Sequence, residues 1–170
     1  MADGLTWYFA YGSNMDPVRL FDQRLAPRGV PRGERIAGRL DGWRLAFDKP
    51  ARLLKGAAAA NIVPGEGGVV HGTLNALPDE GFAVLDIYEG VADGHYQRRT
   101  VRVVRGDTGE DVEATVYVAL MQGEGLKPQR VYLDCLLAGR DLLPLDYWEQ
   151  LAATPTFELT HPAGGGARSP

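Results

Sequence analysis

Apolar and aromatic residues run without interruption over Thr6-Trp7-Tyr8-Phe9-Ala10-Tyr11 and stop at Gly12, the pattern of a buried strand. Asp16-Pro17 then has the form of a helix N-cap with proline at the first helical position. Val18, Phe21 and Leu25 follow at helical spacing, so a short helix to Leu25 is expected. Ala26 to Gly33, with two prolines and two glycines, reads as a loop. Arg35 to Leu40 and Trp43 to Phe47 are two β-like runs about Asp41-Gly42, forming either a tight hairpin or one bent strand; Asp48 to Lys55 is irregular. Ala57 to Val63 is read as a strand despite its four alanines, because the Asn61-Ile62-Val63 ending and Pro64-Gly65 suit a helix poorly. Small residues there leave room for another backbone or a ligand.

Val69 to Leu77 is a further strand, and Pro78-Asp79 opens a helix with Phe82 and Leu85 on one face and Tyr88 as a third candidate for it. Gly90 suits that helix's C-terminal cap. Tyr96 to Val104 alternates apolar and polar residues, Gly106-Asp107-Thr108-Gly109 is turn chemistry, and Val112 to Leu120 is the expected hairpin partner. Two helices, Pro128 to Gly139 and Pro144 to Ala153, complete the pattern. About six strands with helices scattered among them predict an α+β fold, or a small barrel with flanking helices, rather than a doubly wound sheet. One domain is expected over residues 1–155, followed by a flexible tail over 156–170 that is rich in glycine and proline from Ala163 onward.

Charge and composition narrow the function. The 170 residues are 45% hydrophobic and 24% charged, enough apolar material for a real core. Lys and Arg number 18 against 22 Asp and Glu, a net charge of −4, which is a poor footprint for nucleic acid. No apolar run approaches the ~18 residues of a membrane span, and the first residues carry no secretory signal. The single cysteine, Cys135, excludes an internal disulfide framework. A protein of the cytoplasm acting on something small is the expectation. A homodimer stays open: aromatics such as Trp148 either form a dimer surface or pack the last helix.

Two features carry candidate chemistry. The first is Tyr11-Gly12-Ser13-Asn14-Met15, between the aromatic strand and a helix start. A sharp bend at Gly12 leaves backbone N–H groups free to cradle an anion, although the same residues also make an ordinary turn with a helix cap. The glycine spacing and lysine of a phosphate-binding loop are missing. The second is Leu85-Asp86-Ile87-Tyr88-Glu89-Gly90. Glu89 ends a helix, where the negative dipole disfavours a carboxylate by ~0.3–1 kcal/mol. It is either a solvated glutamate or a buried carboxylate with a raised pKa, suited to act as a general base. Asp86 shares its helix face and reads as the structural member. His71, His95 and His161 are dispersed and give no metal-ligand spacing. Cys135 reads as a core residue without thiolate activation, the Arg98, Arg99, Arg102 and Arg105 cluster as a solvated face, and Tyr132 as facing either core or pocket.

Taken together and in order, Tyr8-Phe9-Ala10-Tyr11-Gly12-Ser13-Asn14-Met15, Gly68-Val69-Val70, Leu85-Asp86-x-x-Glu89-Gly90, Tyr132 and Leu143-Pro144-Leu145-Asp146-Tyr147-Trp148-Glu149-Gln150-Leu151 resemble the γ-glutamylcyclotransferase family. The resemblance spans residues 6 to 153. The related γ-glutamylamine cyclotransferases carry a shorter Tyr-Gly-Thr-Leu motif and lack the closing segment. The resemblance implies a β-barrel-centred mixed fold and conversion of a γ-glutamyl amino acid into 5-oxoproline and the free amino acid, without metal or cofactor. It implies Glu89 as the catalytic residue, with Tyr8, Phe9, Ala10, Tyr11, Gly12, Ser13, Asn14 and Tyr132 binding substrate. A γ-glutamyl amine or antibiotic intermediate as substrate, or a non-catalytic small-molecule-binding relative, are the alternatives.

Overall fold

The computed structural model describes residues 4–158; the remainder of the expected tail, 159–170, lies outside the described residues. Five strands close into a barrel: β1 (Leu5–Ala10), β2 (Arg35–Pro50), β3 (Ala57–Pro78), β4 (Tyr96–Arg105) and β5 (Asp111–Ala119). Their order is β1-β5-β4-β2-β3, and β1 pairs back onto β3 to complete the ring. The seam between β1 and β5 is parallel and short (Trp7 beside Ala114, Tyr8 beside Thr115), whereas the other barrel pairings are antiparallel. A two-residue outer strand, β6 (Lys127–Pro128), runs parallel to the start of β3. The α+β barrel class is as expected, with six strands among the described residues.

Three helices flank the barrel: α1 (Asp79–Glu89), α2 (Arg130–Leu137) and α3 (Leu145–Ala152). The expected first helix is present as a π-helical segment, Val18–Leu25, whose widened turns close through bonds such as Ala26 N–H to the Phe21 carbonyl. The loop after it begins with a tight 3-10 turn, Ala26–Arg28.

Two open readings are decided by the long hairpin of β2 and β3. The runs about Asp41-Gly42 form one bent strand, because Gly42 takes φ +81° and absorbs a register shift between Asp41 and Trp43. On β3, Val69 faces Asp41 and Pro64 faces Trp43, so residues 65–68 bulge out while the strand carries on beyond them. The two expected strands are therefore halves of a single β3, and β2 runs to Pro50 into the segment expected to be irregular.

Side-chain alternation along β1 sorts its residues. Phe9 is fully buried beside Leu74 and Val103, over the space left open by Gly38 and Gly72. Tyr8 turns to the opposite side, where its ring meets Phe82 of α1 and Tyr117 edge-on with centroids 6.3 and 5.9 Å apart. Helix α1 starts with Asp79 and Glu80, which suit its positive end. It ends at Gly90 (φ +64°) with Gly90 and Val91 N–H bonded back to the Ile87 and Asp86 carbonyls. Phe82 and Leu85 are buried as expected; Tyr88 departs from that face and is 41% exposed.

Trp148 packs the last helix: its Nε1–H donates to the Leu137 carbonyl at 2.9 Å, tying α3 to α2. Cys135 is half-buried rather than a core residue, and burial pushes its thiol pKa up, as an unactivated cysteine requires. His71 sits in β3 with its ring edge-on to Tyr147, 5.0 Å between centroids. Phe157 bridges Gln129, so the chain just beyond residue 155 is tied down at that point. No helix among the described residues is long and apolar enough to cross a membrane.

Candidate active site

Where β1 ends, the chain bends at Gly12 into a 3-10 turn, Ser13–Met15, closed by Met15 N–H to the Gly12 carbonyl and Asp16 N–H to the Ser13 carbonyl. The first amides of such a turn have no acceptor within it, so those of Ser13 and Asn14 are left to find other partners. Gly12 is needed for close approach: a Cβ there would lie 3.3 Å from both the Ala60 Cβ and the Tyr132 hydroxyl. The small residues of β3 give the space expected of them, since Ala58, Ala59 and Ala60 all form wall.

Glu89 reaches this bend from the end of α1. Its Oε1 accepts from Asn14 Nδ2 at 3.4 Å and from Arg24 Nη1 at 3.3 Å. Asn14 is the junction of the cluster, donating also to the Tyr8 hydroxyl at 2.8 Å and accepting from Arg24 at 2.8 Å through its Oδ1. The Glu89 side chain is only 17% exposed. Burial raises its pKa above the ordinary glutamate value, while Arg24 first and then Arg19 pull against that rise. The result is a carboxyl group that binds a proton more readily than a surface glutamate, with a cation at hand to hold its ionised form.

Two connected spaces meet at Glu89. An outer cleft of about 290 Å³ is lined by Ser13, Arg19, Arg24, Lys49, Glu89 and Tyr132, among others. Behind it lies an inner cavity of about 30 Å³, walled by Gly12, Ala60, Glu89 and five tyrosines, Tyr8, Tyr11, Tyr96, Tyr117 and Tyr132. That is room for a water molecule or two, or the end of a small ligand. Each phenol is fixed: Tyr11 donates to the Tyr117 carbonyl at 2.6 Å, Tyr96 to the Ala60 carbonyl at 2.8 Å, and Tyr132 accepts from Ala60 N–H at 2.8 Å. Accepting there leaves the Tyr132 proton free to be donated. Burial pushes the Tyr132 pKa up to about 12 and raises those of the other four above the ordinary tyrosine value, so all five are neutral hydrogen-bonding groups at pH 7.

Of the residues expected at the site, Glu89, Tyr8, Tyr11, Gly12, Ser13 and Tyr132 line these spaces, and Asn14 links them. Phe9 and Ala10 do not line either; Phe9 belongs to the barrel interior and Ala10 is buried at the close of β1. Asp86 turns away from the cleft: it holds Arg98 through two bonds of 2.7 and 2.6 Å and accepts from Tyr117 at 2.8 Å. Arg98 is therefore a tethering residue, in place of the purely solvated one expected. Asp86→Ala should cost about 1–2 kcal/mol of stability, because the Tyr117 hydroxyl loses its shorter acceptor, keeping only the Phe82 carbonyl at 3.4 Å, and a partly exposed ion pair is lost with it. Thermal unfolding checks that loss.

The cations were not visible in the sequence pattern. Arg24 and Arg19 come from the π-helical segment, with Arg19 Nε donating to the Ser13 hydroxyl at 3.1 Å, and Lys49 comes from the end of β2. A site free of cationic side chains, as the Tyr11–Met15 motif alone suggests, is thus corrected. Helical spacing grouped Val18, Phe21 and Leu25 on one face; Phe21 and Leu25 are buried but Val18 is 50% exposed, and the spacing gave no sign that Arg24 turns inward. Among the described residues, no three His, Cys, Asp or Glu side chains are grouped as a metal site would need.

The fold has known counterparts. The AIG2-like family profile matches residues 69–151. A structure described as a gamma-glutamyl cyclotransferase superposes with a TM-score of 0.79 at 25% identity, over 92% of this chain and 92% of that one. The uncharacterized human protein loc79017 does so with a TM-score of 0.79 at 25% identity, over 94% and 93%. A yeast γ-glutamyl cyclotransferase specific to glutathione shares the fold at 12% identity, with a TM-score of 0.59 over 88% and 94%. Comparison with curated proteins gave no match. With its barrel superposing on that of a solved cyclotransferase and the profile matching residues 69–151, the chain is similar to the γ-glutamylcyclotransferase/AIG2-like proteins.

Proposed function

We propose that the protein is a γ-glutamylcyclotransferase, which converts a γ-glutamyl amino acid into 5-oxoproline and the free amino acid. One observation carries this reading: the Glu89 carboxylate is buried at the junction of cleft and inner cavity, within 3.4 Å of Asn14 on the Gly12 bend. A γ-glutamyl compound contains its own nucleophile, and a fold that holds its α-amine near its γ-carbonyl gains a large effective concentration. The α-ammonium must first lose a proton, which Glu89 accepts. The amine then closes a five-membered ring on the carbonyl carbon, and the oxyanion is met by amides of the bend and by the neutral Tyr132 hydroxyl. Collapse breaks the original amide bond: Glu89 gives its proton to the departing amine, and the ring nitrogen's second proton follows by the same carrier, leaving the lactam N–H and an ammonium product. No water is consumed, and no metal or cofactor is called for.

The buried carboxylate favours this reading over a binding-only relative, since holding a zwitterion gains little from a buried acid beside its carboxylate. The chemistry needs neither nucleic acid, membrane nor a second copy of the chain, and a chain with one cysteine is suited to the reducing cytoplasm. Incubating the purified protein with γ-glutamyl-alanine should release 5-oxoproline and alanine in equal amounts by mass spectrometry. Binding of 5-oxoproline without turnover of any γ-glutamyl donor would return the site to a binding role.

Arg24 tunes the proton carrier. Since its charge lowers the Glu89 pKa against the effect of burial, Arg24→Gln leaves burial less opposed. The acid limb of the kcat/KM profile should then move to higher pH, as the base is ionised only in more alkaline solution. A limb that stays in place would separate Arg24 from the ionisation that limits the rate.

A further inference from the structure

The outer cleft holds more positive charge than the γ-glutamyl half of a substrate can use. That half brings one carboxylate, and Arg19, hydrogen-bonded to Ser13 beside the free amides, stands where it would be held. Arg24 is occupied by Glu89 and Asn14. Lys49 and Arg52 remain on the cleft wall.

Lys49 is the unusual one. The residue is 2% exposed, yet among the described residues it has no carboxylate within ion-pair distance. Its Nζ donates to its neighbour's carbonyl, Pro50, at 2.8 Å and lies 5.6 Å from the centre of the Tyr96 ring. An ammonium has three protons to place, and burying it without an opposite charge is costly. The adjacent Asp48 does not answer it, since its Oδ1 accepts from Asn61 Nδ2 at 2.9 Å. Burial first, and then Arg52, lower the Lys49 pKa. An arriving carboxylate would relieve both. Arg52 stands nearby on the rim, 48% exposed and paired with Asp93 at 3.3 Å.

Resting on the cyclotransferase reading, we infer that Lys49, supported by Arg52, forms a subsite for anionic charge on the leaving group. The preferred substrates are then γ-glutamyl compounds whose departing amine carries carboxylate, with two carboxylates favoured over one. A departing group with no anion, such as an alkylamine, leaves the Lys49 charge unanswered.

The test compares γ-glutamyl-glutamate, γ-glutamyl-alanine and γ-glutamyl-ethylamide, which share the glutamyl half and differ in leaving-group charge. Wild-type kcat/KM should fall in that order, by about tenfold or more across the series, as a buried charge-assisted bond allows. Lys49→Met should raise KM at least tenfold for the two anionic substrates and leave the ethylamide within about twofold, and Lys49→Arg should restore most of the loss. Arg52→Ala, on the exposed rim, should act in the same direction more weakly. Equal losses on all three substrates, or a fall in kcat with a lowered unfolding temperature, would assign Lys49 to the glutamyl carboxylate or to packing, and overturn the inference. Turnover of all three at equal rates does the same while leaving the cyclotransferase reading intact. If no donor turns over, that reading fails, and calorimetric titration of γ-glutamyl-glutamate into Lys49→Met and unmodified protein still decides the subsite: unchanged affinity rejects it.

Discussion

Glu89→Gln should abolish release of 5-oxoproline while leaving the protein folded and able to bind substrate. A glutamine side chain fills the same space and can keep the contact with Asn14, but it can neither accept the α-ammonium proton nor return one to the leaving amine. General acid–base catalysis by a placed side chain accounts for ~10²–10⁴-fold, so a fall of that size in kcat with little change in substrate affinity is the expected outcome. Mass-spectrometric detection of 5-oxoproline reads the first quantity, and calorimetric titration the second. The variant has a second signature. Because the folded-state pKa of Glu89 is raised, its ionisation weakens the fold as pH rises through that pKa, and glutamine does not ionise. The stability of Glu89→Gln relative to wild type should therefore improve from pH 4 to pH 8. Full activity in the variant would remove Glu89 from the mechanism.

Gly72→Ala should damage the barrel severely. A Cβ at Gly72 would lie 2.3 Å from the Ala10 carbonyl oxygen and 2.9 Å from the Phe9 ring, and one of these contacts is with backbone that cannot turn aside. Relief requires β1 to move off β3 at the point where their pairing ends, Ala10 beside Thr73. Overpacking of this kind costs about 3 kcal/mol, or roughly 6–12 °C in Tm for a chain of this size. Tyr11, Gly12 and Ser13 follow directly on the displaced strand, so kcat should fall as well in whatever fraction stays folded. Thermal unfolding together with turnover at low temperature checks both, and an unchanged Tm would mean that β1 has slack which its packing does not suggest.

Much of this site was legible in the sequence because its strongest signals are local. A run of aromatics ending at Gly12-Ser13-Asn14 needs no tertiary information to be read as a strand opening on a bend, and Glu89-Gly90 marks a helix end by itself. What the pattern could not give depends on long-range register. Asp41-Gly42 looks the same in a hairpin turn and in a bulge; which of the two it forms is decided by β3, whose residues pair with both sides of it. Arg24 sits on a polar stripe by its chemistry and is drawn inward by Asn14 and by Glu89, the latter 65 residues away. Tyr96 and Tyr117 likewise look like ordinary strand aromatics until barrel closure turns them toward one cavity. The bend and the acid were thus readable one at a time, whereas the charges that set the acid's proton affinity belong to the folded whole.

The connection from Ala51 to Gly56 lies outside the barrel's strand pairings, closed by Ala51 N–H to the Ala57 carbonyl and Ala57 N–H to the Leu54 carbonyl. It contributes Arg52, Leu53 and Leu54 to the cleft, whereas Glu89, Asn14 and the tyrosines are anchored in the barrel and the elements packed on it. On the proposed reaction, mutations in this short stretch should alter which amine departs without disturbing proton transfer. The architecture thereby gives evolution a separate dial for selectivity, one that can be turned while the reaction centre stays fixed.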